Sequence, residues 1–231
     1  MALTGAGIST ESGIPDFRSP SGLWAEFDPM QYATIDAFRA DPEKVWTFYA
    51  PRISMLVDAQ PNPAHAALAE LEEGGLLDAV VTQNIDLLHE RAGSREVVEV
   101  HGSIRTATCP HCGGAHSLGR VLEQLDSRPG EAPRCDSCAA VLKPDVVFFG
   151  ELLPERAMQR AEKLARGARL LLVVGSSLEV YPIAGLPGTT LAAGGDVAIV
   201  NRGSTPFDRR ARMRIGGSAA EVLTCVLEEL G

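Results

Sequence analysis

The chain has 231 residues, 45% hydrophobic and 22% charged, with a formal net charge of −9. That length suits one large domain or a main domain with a smaller insertion, and no run approaches the roughly 18 apolar residues of a membrane span. The acidic balance argues against a general nucleic-acid surface, which needs clustered Lys and Arg, so neither nucleic acid nor membrane is an expected partner.

The first residues lack a basic segment followed by an apolar stretch and a cleavage site, so the expected location is cytoplasmic. "ALT" gives a first strand of at most three residues, running into Gly5-Ala6-Gly7. In a G-x-G-x-x-G fingerprint the first glycine makes the turn and the second lets a pyrophosphate approach the backbone; Gly5 and Gly7 fit, but position 10 is Thr. "GAG" would offer N–H groups and a helix N-terminus to a pyrophosphate. Residues from about 25 to 60 read as helical. Within them "DPEKVWTFYAPRISML" opens with Asp41 as N-cap and Pro42 at the first helical position, and "NPAHAALAELEEGG" then repeats the device with Asn62, Pro63 and a stop at Gly74. "LLDAVVTQN" is a buried strand with a polar tip, "IDLLHERAG" a short helix ended by Gly93, and "EVVEV" a strand reaching His101. His65 and His89 fall in helices and read as structural.

Four of the five cysteines form two C-x-x-C pairs, Cys109 with Cys112 and Cys135 with Cys138. Two such knuckles about 20 residues apart match a tetrahedral zinc site. The competing reading, a disulfide or redox pair, needs an oxidising compartment or a single motif at a βαβ start. His111 and His116 share the segment; His111 is a possible substitute ligand, but four thiolates already fill the shell. Beyond residue 144 come "DVVFFG" as a strand, "PERAMQRAEKLARGA" as a helix, "RLLLVVGSS" as a strand, a Gly-rich helical stretch, and "DVAIVN" as a strand. A C-terminal helix follows with Cys225 directed to the core. Apolar strands alternating with helices predict an α/β fold with a Rossmann-like parallel sheet covered on both faces. The predicted organisation is a single catalytic unit spanning 1–231. A large lobe takes about 1–24, 61–103 and 145–231, and a small zinc-ribbon and helical lobe takes 25–60 and 104–144.

In open α/β sheets, ligands bind beyond the carboxyl ends of the strands. Five predicted ends carry glycines or small polar residues: Gly5-Ala6-Gly7, Thr82-Gln83-Asn84-Ile85-Asp86, His101-Gly102, Gly175-Ser176-Ser177 and Asn201-Arg202. Such residues are usually turn formers; five sets together point to one crevice. The acid that would hold a ribose about 20 residues past the glycines is missing, since Glu26 and Asp28 follow no strand, and Asn201 is the better ribose partner. His101, at the crevice with Asn84 and Asp86, has an ordinary pKa suited to general-base work; a satisfied core histidine is the competing reading.

"GAGIST" with "SGIPDFR", "TQNID", "HG", the paired C-x-x-C motifs, "VVFFGE", "GSSLEVYP" and "VN" resemble, in order over essentially the whole chain, the sirtuins, NAD-dependent protein-lysine deacylases. The resemblance implies NAD and one structural zinc, and acylated proteins or peptides as partners. Ala6, Ile14, Phe17, Asn84, Ile85 and Asp86 would form the nicotinamide pocket, with Asp86 on its carboxamide. Asp16 and Arg18 would clamp the cofactor, Gln83 would meet the nicotinamide ribose, and Gly175, Ser176, Ser177 and Asn201 would complete the nucleotide contacts. Thr10 to Trp24 would close as a lid, its mobility fitting Gly13, Pro15, Pro20 and Gly22. Val146, Val147, Phe148, Gly150 and Glu151 would pair with the substrate backbone by β-augmentation. The acyl oxygen would displace nicotinamide at C1′ of the ribose. His101 would then take a ribose hydroxyl proton, and water would complete release of lysine and 2′-O-acyl-ADP-ribose. Mono-ADP-ribosyl transfer uses the same bond cleavage, and a non-enzymatic NAD-responsive module is a third reading. Tyr49 and Arg52, three apart on a predicted helix, share a face and form a fitting carboxylate receptor; a core tyrosine and a surface arginine are the competing reading. With Ala33 they resemble the subgroup that removes succinyl and malonyl groups, although Pro51 between them removes a helical hydrogen bond.

Overall fold

In chain order the strands are β1 (Ala2–Thr4), β2 (Val80–Thr82), β3 (Val97–Glu99), β4 (Gly102–Thr108), β5 (Ala115–Ser117), β6 (Lys143–Val146), β7 (Leu170–Val174), β8 (Asp196–Val200) and β9 (Met213–Ile215). They are taken from a computed structural model that describes residues 1–230; Gly231, where the predicted unit ends, lies outside the described residues. Two compact units result, one of residues 1–16, 59–101 and 154 onward, the other of 17–58 and 102–153. The sequence reading puts these boundaries near 24, 60, 103 and 144. The late exit from the second unit has a simple cause: β6 pairs with β4, and the residues after it turn back onto Ala33 and Ile35.

The first unit is a six-stranded sheet in the order β3-β2-β1-β7-β8-β9, with every neighbouring pair parallel. Counted within the unit alone, this is the doubly wound order 3-2-1-4-5-6, and the order reverses between β1 and β7. Three residues suffice for β1 because it is fully buried and paired on both sides. The register aligns Thr4 with Thr82 and Val174, Thr82 with Glu99, and Val174 with Val200, so the predicted polar tips all leave from one row. β9 extends the row with Ile215 opposite Val200 and is absent from the sequence reading, since three residues with an arginine in the middle give no apolar run.

Asn62 caps the helix Pro63–Glu73, its side chain accepting from the Ala64 amide at 2.9 Å, and the His65 ring accepts in return from the Asn62 amide at 3.3 Å. This helix lays Ala64, Ala67, Leu68 and Leu71 against Val80, Val174 and the Ala219, Ala220 and Leu223 face of the C-terminal helix Ala219–Leu230. Each fully buried Leu contributes about 2 kcal/mol. Cys225 corrects its prediction: it lies two residues beyond Leu223, on the exposed face of that helix.

The second unit holds a three-stranded antiparallel sheet, β5-β4-β6, and five helices, Leu23–Glu26, Pro29–Tyr32, Ile35–Ala40, Pro42–Asp58 and Leu118–Ser127. "DVVFFG" is therefore not a strand of the parallel sheet; only its first residues are extended, and they run antiparallel to β4. Asp41 caps Pro42–Asp58 as predicted, accepting from the Lys44 amide at 3.0 Å. The helix continues through Pro51 and buries Val45, Trp46, Phe48, Ile53 and Leu56, with the Trp46 indole donating to the Leu142 carbonyl at 2.7 Å. Among the described residues no helix is long and apolar enough to cross a membrane.

Candidate functional site

The turn after β1 and the turn after β7 pack backbone to backbone. A Cβ on Gly7 would stand 2.8 Å from Gly175 Cα, and one on Gly175, whose φ is +62°, would stand 2.2 Å from the Ile8 nitrogen. Both positions exclude any side chain. The same contact commits the amides that the sequence reading offers to a pyrophosphate: Gly5 N–H donates to the Val174 carbonyl at 3.1 Å and Gly7 N–H to the Gly175 carbonyl at 2.8 Å. The expected helix N-terminus is replaced by two short 3₁₀ turns, Ala6–Ile8 and Thr10–Ser12. Gly13 then takes a left-handed φ of +83°.

Beside these glycines, the β2 tip is held by a buried polar network. The Ser9 hydroxyl donates to Asp86 Oδ2 at 2.7 Å and accepts from Asn84 Nδ2 at 3.0 Å. Because His65 Nδ1 accepts from the Asn62 amide, its proton lies on Nε2, which reaches Ser9 Oγ at 3.4 Å. One donor and two acceptor positions of that hydroxyl are thus filled. Asp86 Oδ1 also accepts from the Leu88 amide at 3.0 Å. Thr4 donates to Thr82 at 2.8 Å, so it accepts from His89 Nε2 at 2.9 Å. Burial pushes His65 below the ordinary histidine range against the pull of Asp86, and burial with the His65 ring beside it brings His89 down to about 3, so both rings are neutral donors here. Their structural reading gains a purpose: they hold the residues that hold Asp86 and Asn84. Leu87 and Leu178, each following a tip, have left-handed φ of 64° and 55°, a strain of order 1–3 kcal/mol apiece that recurs near functional sites.

Gln83 joins the two central tips, donating to Ser176 Oγ at 2.9 Å and to the Thr4 carbonyl at 3.2 Å. Its own carbonyl lies 3.0 Å from His101 Nδ1. A carbonyl only accepts, so Nδ1 carries the proton and Nε2 of the neutral ring is left with its lone pair. Burial lowers the His101 pKa below 6.5, partly offset by this bond. Ile14 is buried, Ala6, Asp16, Ile85 and Ser177 are half-buried, and Asn201 ends β8 with its amide donating to the Gly203 carbonyl at 3.0 Å.

The second unit gathers the remaining predicted residues around an aromatic cluster, and Arg18 lies exposed in its first segment. Trp24 lies against Phe17 and Phe48, at centroid distances of 5.1 and 5.9 Å, and Tyr49 stacks on Phe148 at 5.2 Å. The Arg52 guanidinium is 3.6 Å from the Phe48 ring centre and 4.4 Å from that of Phe27, donates to the Phe48 carbonyl at 2.5 Å, and keeps a buried Nε with no partner. Burial raises the Tyr49 phenol despite the nearby Arg52 charge, so it stays protonated. Ala33 is buried and its carbonyl accepts from Phe149 N–H at 2.8 Å, with Phe149 returning a carbonyl to Ile35. Val146 ends β6, Val147 follows half-buried, and Gly150 is exposed with φ +90°. The Glu151 carboxylate is engaged internally, by Lys143 at 2.9 Å and the Phe148 amide at 2.8 Å.

The four paired cysteines converge. All four sulfurs lie within 4.8 Å of one another, with Cys109–Cys138 and Cys112–Cys135 at 3.5 Å, too long for disulfides. The two knuckles repeat one pattern. Cys109 N–H donates to Gly114 and Cys135 N–H to Ala140; Gly113 donates back to Cys109 and Ala139 to Cys135, with Gly113 and Ala139 both left-handed. Four thiols whose sulfurs lie within 4.8 Å of one another, two pairs of them at 3.5 Å, around the roughly 3.8 Å spacing that Zn–S bonds of ~2.3 Å imply, are placed to bind a metal ion. His116, placed in the zinc segment by the sequence but given no role there, contacts Cys135 and lies 3.4 Å from Asp136, a supporting contact of the kind that orients metal ligands.

Comparison with known proteins agrees over the full length. The NAD-dependent protein deacetylase of Thermotoga maritima is 45% identical over 231 residues, covering 100% of this chain and 93% of that one. The NAD-dependent protein deacylase of Thermococcus kodakarensis is 48% identical over 236 residues, covering 100% and 90%. A solved Sir2 variant with a deacetylated p53 peptide and 3′-O-acetyl-ADP-ribose superposes with a TM-score of 0.94 at 44% identity, covering 99% of this chain and 92% of that one. The model of the Sir2 family matches residues 5–182, a stretch that begins at the glycine turn, includes His101 and both cysteine knuckles, and ends just past the β7 tip, and the chain belongs to that family.

Proposed function

We propose that this protein removes acyl groups from protein lysines at the expense of NAD, yielding nicotinamide, 2′-O-acyl-ADP-ribose and free lysine. The observation that carries the reading is His101, neutral and fixed at Nδ1 by Gln83, beside a tip where Asn84 and Asp86 are locked through Ser9, in a chain whose relatives are named deacetylases and deacylases. Those names favour deacylation over mono-ADP-ribosyl transfer. The side-chain-free approach of Gly5, Gly7 and Gly175 at the reversal point of the sheet fits a dinucleotide. NAD when bound supplies an activated ribose carbon with nicotinamide as leaving group.

The residues of this chain bind, orient and move a proton. Asp86, its two oxygens already accepting from Ser9 and Leu88, has lone pairs left for a carboxamide N–H. The family resemblance gives Ala6, Ile14, Phe17 and Ile85 the role of excluding water around a bound nicotinamide and Asp16, Arg18 and Trp24 that of covering the cofactor, and Gln83, Ser176, Ser177 and Asn201 would meet the riboses. His101 Nε2 accepts the ribose hydroxyl proton. Val146, Val147, Phe148 and Gly150 lie along the acylated peptide; Glu151 serves there by holding the Phe148 amide. Zinc in the four-thiolate site leaves no open position and has a structural role. We place the protein in the cytoplasm, acting on acylated proteins or peptides, without nucleic acid or membrane. Mixing the protein with NAD and an acetyl-lysine peptide tests the reading: nicotinamide should appear in step with deacylated peptide, and nicotinamide without peptide turnover would sink it.

The acyl range is wider than acetyl. Arg52 has a buried Nε donor without a partner and a protonated phenol three residues away, an incomplete set that a succinyl or malonyl carboxylate would complete, and Ala33 keeps the acyl space open. The guanidinium is also held by Phe48 and Phe27, so the carboxylate must compete with that stacking. Arg52→Met is expected to lower kcat/KM for a succinyl peptide by about tenfold or more, the scale of one charged hydrogen bond, and to change the acetyl rate far less. Equal effects on the two peptides, or no succinyl activity in the wild type, would remove the carboxylate receptor from the account.

A further inference from the structure

The acid that a dinucleotide site sets against the ribose about 20 residues past its glycines is missing from this sequence. The fold supplies a carboxylate from elsewhere. Glu11, in the first turns after β1, accepts from the Ser218 hydroxyl and lies 3.7 Å from the Arg202 guanidinium. Ser218 also caps the C-terminal helix, accepting from the Glu221 amide at 3.2 Å, so the carboxylate is tied to a fixed helix end. Arg202 directly follows Asn201, whose Nδ2 is engaged by Gly203, leaving Oδ1 as the acceptor for a ribose hydroxyl. Arg214 fixes this turn by donating to the carbonyls of Asn201, Arg202 and Gly203 at 3.5, 3.3 and 3.0 Å. The Glu11 side chain is 32% exposed and that of Arg202 71%. The anion is therefore anchored, and the cation beside it is the movable partner.

We propose that Glu11 makes the site selective for NAD over its 2′-phosphorylated form, by setting an anchored carboxylate beside the adenosine ribose and by holding Arg202 away from a 2′-phosphate. This rests on the NAD reading above. A 2′-phosphate adds close to two negative charges, which the Glu11 carboxylate repels, while a ribose with a free 2′-hydroxyl meets no such cost. Arg202, the cation that this turn itself carries, is engaged by Glu11 in the free protein, while Arg214 is occupied by the turn's carbonyls and by Asp208. Removing the carboxylate both lifts the repulsion and releases the guanidinium.

Titrating NAD and NADP separately into the full-length, zinc-loaded protein by calorimetry reads this without turnover. In Glu11→Gln the ratio Kd(NADP)/Kd(NAD) is expected to fall at least about tenfold, and in Arg202→Met to rise, because the carboxylate then loses its counter-charge. The wild-type ratio should also shrink at high salt, which screens part-exposed charges. A Glu11→Gln ratio equal to wild type, or both nucleotides weakened alike, overturns the proposal, since a merely structural Glu11 would act on both equally; so does a falling ratio in Arg202→Met. Wild-type protein that binds neither nucleotide overturns the NAD reading itself, and the two failures are thereby distinguished.

Discussion

Turnover in His101→Ala is expected to drop at least ~10²-fold, the scale of a lost general base, while the melting temperature and most NAD affinity remain. The His101 ring is half-buried and donates one hydrogen bond, to the carbonyl of the half-buried Gln83, so truncation removes little packing and a single hydrogen bond. What disappears is the Nε2 lone pair. The pH profile separates this role from a structural one. Burial holds the folded pKa below 6.5, so the neutral base persists as the solution is acidified, and kcat/KM should fall only as the pH drops through a value below 6.5. The variant should lack that acid limb. His101→Ala with wild-type turnover, or with the same acid limb at reduced rate, would end the assignment.

Stripping the metal is expected to have the larger effect on stability. The chain is held to hold one zinc per molecule, and chelation or Cys135→Ala should melt the second unit, because structural zinc contributes of order 10 kcal/mol of apparent folding free energy. The sulfurs are too far apart for disulfides and lie at the ends of two tight turns, each with a left-handed residue that an unliganded loop has no reason to keep. The Leu118–Ser127 helix depends on the same region, since Arg120 pairs with Asp136, between Cys135 and Cys138, at 2.6 Å. Peptide turnover should be lost with that unit, whereas the parallel sheet of the first unit should keep its secondary structure, so that far-UV circular dichroism falls only in part. Metal analysis finding no zinc in active protein, or unchanged melting after chelation, would rule this out.

Much of this was legible in the sequence where local chemistry decides the outcome. Asp41 and Asn62 mark helix starts because a short polar side chain before proline satisfies orphan amides, and two C-x-x-C pairs carry their geometry in their spacing. Partner choice was less legible. "DVVFFG" is apolar enough for either sheet, and only tertiary pairing puts it antiparallel to β4. β9 is three residues long, and the helix at Leu118 follows a strand that is equally short. The glycine turn was found for one reason and is also explained by another: Gly7 and Gly175 are required by each other before any ligand arrives. Cys225 shows the limit of a helical pattern, since Leu223 and Cys225 are both apolar in kind yet lie on opposite faces. Glu11, Ser218 and Arg202 come from three distant segments, and no spacing rule brings them together.

The placement of β1 at the middle of the sheet sets a timetable for synthesis. Thr4 aligns with Thr82 on one side and with Val174 on the other. At the ribosome's pace of about 5–20 residues per second, the strand that completes the second pairing emerges roughly 5–20 seconds after the first has become available. Throughout that interval a nascent half-sheet of β1, β2 and β3 presents an open apolar edge to the cell, the state in which chaperones engage a chain and in which aggregation begins. Because these pairings join distant segments, refolding from denaturant should likewise be slow for a protein of this size, and the yield should depend on dilution.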